Sequence, residues 1–261
     1  MTERDHHILD DIARYHYLTA AQVARLHFGR QHKLAQRRLR ILTQAGLVRR
    51  FHPPEATRAG FRTWWYCLTR AGARHVSEPR VIVPTRPPAT LGFLAHHTQT
   101  VDFLVWLREA CNASDGFSHR LLTDAALAIP GRRRIIPDAT ILLAKGERQA
   151  LCCLELDRAT EPLRGTHQNA LTRKLTAYRA AYDARAEHAL AEQCGAPLTG
   201  FRVLIVTSDD TRPARIVALA EQLDLAPLVW VTTSALTQEP GKLDARAWRV
   251  RPGEDQHALT E

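Results

Sequence analysis

Glu155 and Asp157 stand two residues apart in Leu154-Glu155-Leu156-Asp157-Arg158, at the end of an apolar run. Side chains alternate across a strand, so the two carboxylates would project from one face. Upstream, Pro137-Asp138 opens a second apolar run, Ala139 to Ala144, and Lys145-Gly146-Glu147-Arg148 has the composition of a turn. A hairpin over 135–157 would set Asp138 beside the Glu-x-Asp strand. Carboxylate oxygens at a strand end are hard ligands suited to Mg²⁺. Such an ion lowers the pKa of a bound water and stabilises charge at phosphorus. Three carboxylates so close repel unless a cation compensates them. The sequence offers Arg158 and Lys174, the latter sharing a helical face with Leu171, Leu175, Tyr178 and Tyr182. The candidate catalytic set is Asp138, Glu155, Asp157 and Lys174, with Asp138 and Glu155 as metal ligands. The alternative is an ion-pair network in a domain that binds rather than cleaves. Both remain open at this point.

The elements that would carry this set alternate between strand and helix. A mostly apolar helix is predicted from about Phe93 to Cys111, then strands at about 118–123, 126–130, 135–144 and 149–157. A helix at 167–192, a strand at 201–207, a helix at 212–223 and a strand at 227–232 follow. That order indicates an α/β sheet domain. His96-His97 and the Asp102/Glu109 pair on the first helix could approach the carboxylates, but packing and a solvated face are the plainer readings. Cys152 and Cys153 read as small buried hydrophobes. Val203 to Asp209 with its helix resembles half a nucleotide-binding unit, but no glycine-rich loop or Walker lysine accompanies it.

The first third of the chain has a different character. Residues 1–80 hold 15 Lys+Arg against 6 Asp+Glu, and residues 81–261 hold 21 of each, so the whole net charge of +9 lies in the first third. A basic module joined to a neutral one points to a polyanionic partner for that module. Ile8, Leu9 and Ile12 mark a first helix. Thr19 and Gln22 form a capping box for a second helix that buries Val23 and Leu26. A third, at about 31–45, turns Leu34, Leu39, Leu42 and Ala45 inward and ends at Gly46. Leu47 to Phe51 and Phe61 to Leu68 read as paired strands, and Thr69 caps a short helix. Three helices followed by a hairpin is the order of a winged helix-turn-helix, whose third helix enters the major groove. The expected DNA contacts are Gln31, Lys33, Gln36, Arg37, Arg38 and Arg40 on that helix. Arg58 in the wing loop at 52–60, and then Arg62 just after it, join them.

Four prolines between 77 and 92 suit a linker. The expected organisation is thus a winged helix over 1–78, a linker over 79–92 and an α/β domain over 93–261 (α+β overall). No apolar run approaches the ~20 residues that span a bilayer. No secretory segment opens the chain, and five cysteines without Cys-x-x-Cys suit reduced thiols. The expectation is a cytoplasmic protein with double-stranded DNA as partner, no membrane, no cofactor needed for binding, and room for a homodimer.

Pro-Asp, a turn and Glu-x-Asp resemble the PD-(D/E)XK nuclease superfamily. A closer resemblance is to the replication-relaxation family, which includes MobC-type plasmid mobilisation proteins. It rests on Tyr-Leu-Thr-Ala-Ala-Gln-Val at 17–23, Arg-Arg-Leu-Arg-Ile-Leu at 37–42, Ala-Gly-Leu-Val at 45–48 and Leu-Thr-Arg-Ala-Gly at 68–72. It continues through Pro-Asp at 137–138, Glu-Leu-Asp-Arg-Ala-Thr-Glu at 155–161 and Arg-Lys-Leu-Thr-Ala-Tyr at 173–178. The resemblance implies a winged helix joined to a nuclease-like domain. The implied role is that of a plasmid or mobile-element accessory protein in replication or conjugative mobilisation, binding origin DNA and positioning a relaxase or replication protein. Asp157 stands where an active nuclease motif has lysine, so Lys174 would have to substitute for it. A Mg²⁺-dependent endonuclease and a transcriptional repressor are the alternatives.

Overall fold

The computed structural model describes residues 1–53, 63–77, 88, 90–122, 127, 134–158, 170–195, 197–198, 200–226 and 228–260. The chain is a mixed α/β protein that divides into two compact units, Met1–Val105 and Trp106–Glu261.

In the first unit, α1 (Glu3–Tyr15) leads through a two-residue strand β1 (Leu18–Thr19) into α2 (Ala20–His27) and α3 (His32–Gln44). Strands β2 (Val48–Phe51) and β3 (Trp65–Leu68) and the short α4 (Arg70–Ala73) follow. The three strands form an antiparallel sheet in the order β1-β3-β2, with Val48 opposite Leu68 and Leu18 opposite Tyr66. Ile8, Leu9 and Ile12 are fully buried, as their helical spacing requires. Thr19 and Gln22 close the expected capping box: the Thr19 amide donates to Gln22 Oε1 at 2.8 Å and the Gln22 amide to Thr19 Oγ1 at 3.2 Å. Helix α3 ends in a Schellman motif. Gly46 takes φ +71°, its amide donates to the Thr43 carbonyl, and the Leu47 amide to the Leu42 carbonyl.

Two inward assignments on α3 are corrected. Leu34 is 44% exposed and Ala45 is exposed, while Ala35, Leu39 and Leu42 are buried. Steps of four and three residues define the stripe that faces the core, and Leu34 lies a full residue's rotation outside it. Leu26 on α2 is half-buried rather than buried.

The second unit takes the last turns of α5 (Leu91–Asn112), whose first turns belong to the first unit. Its sheet runs β4 (Phe117–Leu122), β5 (Ala139–Lys145), β6 (Arg148–Asp157), β7 (Phe201–Thr207) and β8 (Val229–Thr233), in that spatial order. β4, β5 and β6 are antiparallel neighbours, and β6, β7 and β8 run parallel. Helices α6 (Ala170–Asp183) and α7 (His188–Cys194) connect β6 to β7, and α8 (Arg212–Gln222) connects β7 to β8. Leu175, Tyr178, Ile216 and Val217 from the helices share one buried cluster with Cys153 and Ile205 of the sheet. The strand expected at 126–130 lies outside the described residues except for Leu127, which bridges Ile135. Residues 54–60 of the expected wing loop and most of the proline-rich segment are outside them too.

The single helix expected over 167–192 is broken. The Ala186 amide donates back to the Ala181 carbonyl and that of Arg185 to Tyr182, with Arg185 at φ +53°. This is again a Schellman ending, but with arginine where glycine is usual. The break admits Ala186 to the core at 5% exposure. No glycine or proline announces it, so helical periodicity alone ran through it.

Among the described glycines of the first unit, Gly72 has the least space for a side chain. A Cβ there would lie 2.0 Å from the Leu47 carbonyl oxygen, because Thr69 ties α4 to the β2 entry through its amide and hydroxyl. Gly72→Ala should cost more than about 2 kcal/mol in urea denaturation followed by circular dichroism. Gly92→Ala, with nothing within 4 Å of the added carbon, should be neutral or stabilising. Equal midpoints for the two variants would contradict the close approach.

Candidate functional site

Four side chains meet at the end of the β5–β6 hairpin. The Asp138 amide donates to the Leu154 carbonyl at 2.9 Å, extending the ladder one residue beyond Ala139. Its Oδ2 accepts from the Leu156 amide at 2.7 Å, so the carboxylate is clamped against the neighbouring strand. Glu155 is 3% exposed and faces α6, where Lys174 and Tyr178 lie one turn apart. The Tyr178 hydroxyl donates to Glu155 Oε1 at 2.7 Å, and the Lys174 ammonium hydrogen-bonds and ion-pairs with Glu155 Oε2. Lys174 Nζ also stands 3.9 Å from Asp138 Oδ1.

Burial pushes the Glu155 carboxyl up to about 7; the Lys174 charge opposes this and the Asp138 charge adds to it. At Lys174 burial acts downward, but the attraction of Glu155 and Asp138 prevails and its pKa is raised. Tyr178 is held well above its ordinary value by burial and by the Glu155 charge. The cluster as a whole therefore retains protons.

Asp157 has a different partner. Its carboxylate takes Arg212 in a fork, Nε to Oδ2 at 2.6 Å and Nη2 to Oδ1 at 3.1 Å, and accepts from Thr207 Oγ1 at 3.2 Å. Arg212 is itself buried. Asp138, Glu155 and Lys174 thus converge as their spacing predicts, whereas Asp157, on the same strand, is held by α8. Arg158 is half-buried. Tyr178 and Arg212 escaped sequence reasoning as partners. The first was detectable as the residue one helical turn beyond Lys174, while the second lies 55 residues from Asp157 and has no local signal.

Mg²⁺ requires about six oxygen ligands in near-octahedral array. Among the described residues, no three His, Cys, Asp or Glu side chains gather that could hold a metal. The Lys174 ammonium stands against both carboxylates that would bind one. A Mg²⁺ ion held by these two carboxylates with waters and phosphate oxygens would compete with Lys174 for Glu155.

On the first unit, α3 presents Gln31, Lys33, Gln36, Arg37 and Arg40 as exposed residues. Arg38 is half-buried, paired in a fork with Asp5 of α1, and 3.1 Å from Thr2 Oγ1. Burial acts upward on the Asp5 carboxyl, but the hydrogen bond from Arg38 prevails and holds its pKa below the usual value. Arg58 and Arg62 lie outside the described residues. Arg49 and Arg50 on β2 are exposed, with the Arg50 guanidinium 4.1 Å from the centre of the Trp64 ring.

The first turns of α5 serve packing. His97 Nε2 lies 3.1 Å from the Tyr17 carbonyl, and burial takes its pKa down to about 4. Asp102 Oδ1 accepts from Gln22 Nε2 at 2.8 Å. Cys152 and Cys153 are buried. Among the described residues, no helix is long and apolar enough to cross a membrane.

A family model described as replication-relaxation matches residues 9–193, well over half of the chain. No curated protein and no solved structure matches it.

Two outcomes follow from this geometry. A carboxyl whose folded pKa is raised contributes stability that is complete below its ordinary value of 4.5 and is lost as pH rises through about 7. Glu155→Gln should flatten the pH dependence of the unfolding free energy between those limits. The ceiling is on the order of 3 kcal/mol, reduced because the Lys174 side chain is 40% exposed. Matching pH profiles for wild type and variant would refute the shift. Separately, Arg38→Ala leaves the buried Asp5 carboxylate without its fork and should cost about 2–3 kcal/mol. Arg37→Ala and Arg40→Ala should stay within about 0.5 kcal/mol of wild type in the same denaturation series.

Proposed function

Because the chain belongs to the replication-relaxation family, we propose that it is a DNA-binding accessory protein of a plasmid or other mobile element. In this reading it acts in replication or mobilisation, binding origin DNA and positioning a relaxase or a replication protein. The observation that carries the reading is the exposed polar row on α3, Lys33, Gln36, Arg37 and Arg40, in the part of the chain that holds all the excess charge. The order helix, strand, helix, helix, strand, strand with an antiparallel three-stranded sheet supports a winged helix-turn-helix with α3 as the element entering the major groove. A MobC-type mobilisation factor is the finer form of this reading.

The second unit supports a nuclease-like framework used for binding. Among the described residues, helix, three antiparallel strands, two helices and a parallel strand succeed one another from α5 to β7. The Glu-x-Asp strand ends in two compensated carboxylates, one held by Lys174 and Tyr178 and the other by Arg212. The pair on Glu155 joins α6 to the sheet, and the Lys174 ammonium neutralises charge that would otherwise attract a divalent ion.

Fluorescence anisotropy on duplex DNA tests the binding half of the proposal. Changing Lys33, Arg37 and Arg40 together to alanine should weaken binding at least tenfold. It should also reduce the slope of log K against log salt concentration by about one unit for each phosphate no longer neutralised. Affinity and slope both unchanged would remove the proposal's basis. On supercoiled plasmid with Mg²⁺, wild type, Asp138→Ala and Glu155→Ala should nick at the same background rate. Nicking by wild type alone would instead establish the endonuclease reading.

A further inference from the structure

Helix α3 carries three stripes. Ala35, Leu39 and Leu42 face the core, and Lys33, Gln36, Arg37 and Arg40 form the polar row. The third consists of Leu34, 44% exposed, and Ile41, 40% exposed. Seven residues apart, these two project within about 20° of one direction, two turns apart along the helix. Single exposed apolar residues are ordinary on a surface. Leu34 and Ile41 differ from scattered residues in lying along one side of the cationic stripe.

We propose that Leu34 and Ile41 read thymine 5-methyl groups in the major groove, making them specificity-determining residues of the DNA interface. The inference rests on the proposed function and deepens it. A helix laid in the major groove meets phosphates along the walls and base edges on the floor. The methyl of thymine is the one apolar group that the major-groove edges of the bases present. Lys33, Arg37 and Arg40 would supply phosphate attraction, which carries no sequence information. Arg38, folded back onto Asp5, leaves the neighbourhood of Leu34 and Ile41 less polar than the sequence suggests. Branched aliphatic side chains gain from burying the methyl, and cytosine, whose C5 carries only hydrogen, offers no such group.

The test uses the full chain and duplexes selected by it from a random-sequence pool. Selected sites should contain thymines within the footprint that the Lys33/Arg37/Arg40 variant fails to protect. Replacing those thymines by uracil removes only the methyl and should weaken wild-type binding about fourfold per methyl in contact, the value of one buried carbon at ~0.8 kcal/mol. Leu34→Ala with Ile41→Ala should bind thymine and uracil duplexes alike, with an unchanged salt slope and an unchanged circular dichroism spectrum. Tight, salt-dependent binding that ignores the thymine-to-uracil change would overturn the inference and leave the proposed function standing. Absence of duplex binding by wild type would overturn the proposed function itself. A fall from dimer to monomer in sedimentation of Leu34→Asn with Ile41→Asn, with the thymine preference intact, would assign the stripe to a second copy of the chain and likewise overturn the inference.

Discussion

A carboxylate buried to 3% exposure at Glu155 is the constraint on which the second unit depends. Burying an ionised carboxyl without a partner costs several kcal/mol, so the chain must bring a cation and a hydroxyl to it or keep it protonated. It does both in part. Lys174 and Tyr178 arrive together because they lie one turn apart on α6, and the carboxyl pKa still rises. Docking of α6 on the sheet is therefore specified at one polar point within an otherwise apolar cluster. The α6 break at Arg185 lets the chain turn inward again soon after that point.

The same solution recurs twice. Asp5, 1% exposed, is matched by Arg38, and Asp157 by Arg212. Each acid lies on one element and each base on another, so each pair joins two elements across a partly buried contact. Arginine suits this role because its planar fork meets a carboxylate with two parallel hydrogen bonds. Total charge consequently overstates the charge available to a partner. In the arginine-rich segment 37–40 of α3, one of three arginines is committed inward, and only a partner acid 33 residues upstream reveals which.

Local signals were legible wherever the physics is local. The capping box at Thr19 and Gln22, the glycine ending α3, the Thr69 cap and the β5–β6 turn each depend on residues within a few positions, and each forms as its spacing predicts. Asp138 beside Glu155 was legible for the same reason, since a tight hairpin fixes register. Selections made across the fold were not. Asp157 and Arg212 meet only because β7 places α8 beside the end of β6. Leu34 was misassigned because apolar character predicts burial, whereas the helical stripe through Ala35 decides it. The α6–α7 break at Arg185 carries no breaker residue and follows from what the core can accept.

The charge-compensated cluster also bears on whether paired carboxylates at a hairpin end serve chemistry or architecture. Catalysis by paired carboxylates needs them ionised, accessible and open to a cation from solvent. Here Glu155 is buried and hydrogen-bonded through both oxygens, and Asp138 is clamped to a backbone amide. Those features favour a rigid hairpin end over an exchangeable ion site. Because β5 and β6 lie inside the sheet, between β4 and β7, play at their ends would be carried into both neighbouring strands. The carboxylates can thus maintain the architecture through the same proximity that would, with an open coordination sphere, serve hydrolysis. Which role prevails depends on where the lysine sits: on α6 its ammonium closes the space between Asp138 and Glu155.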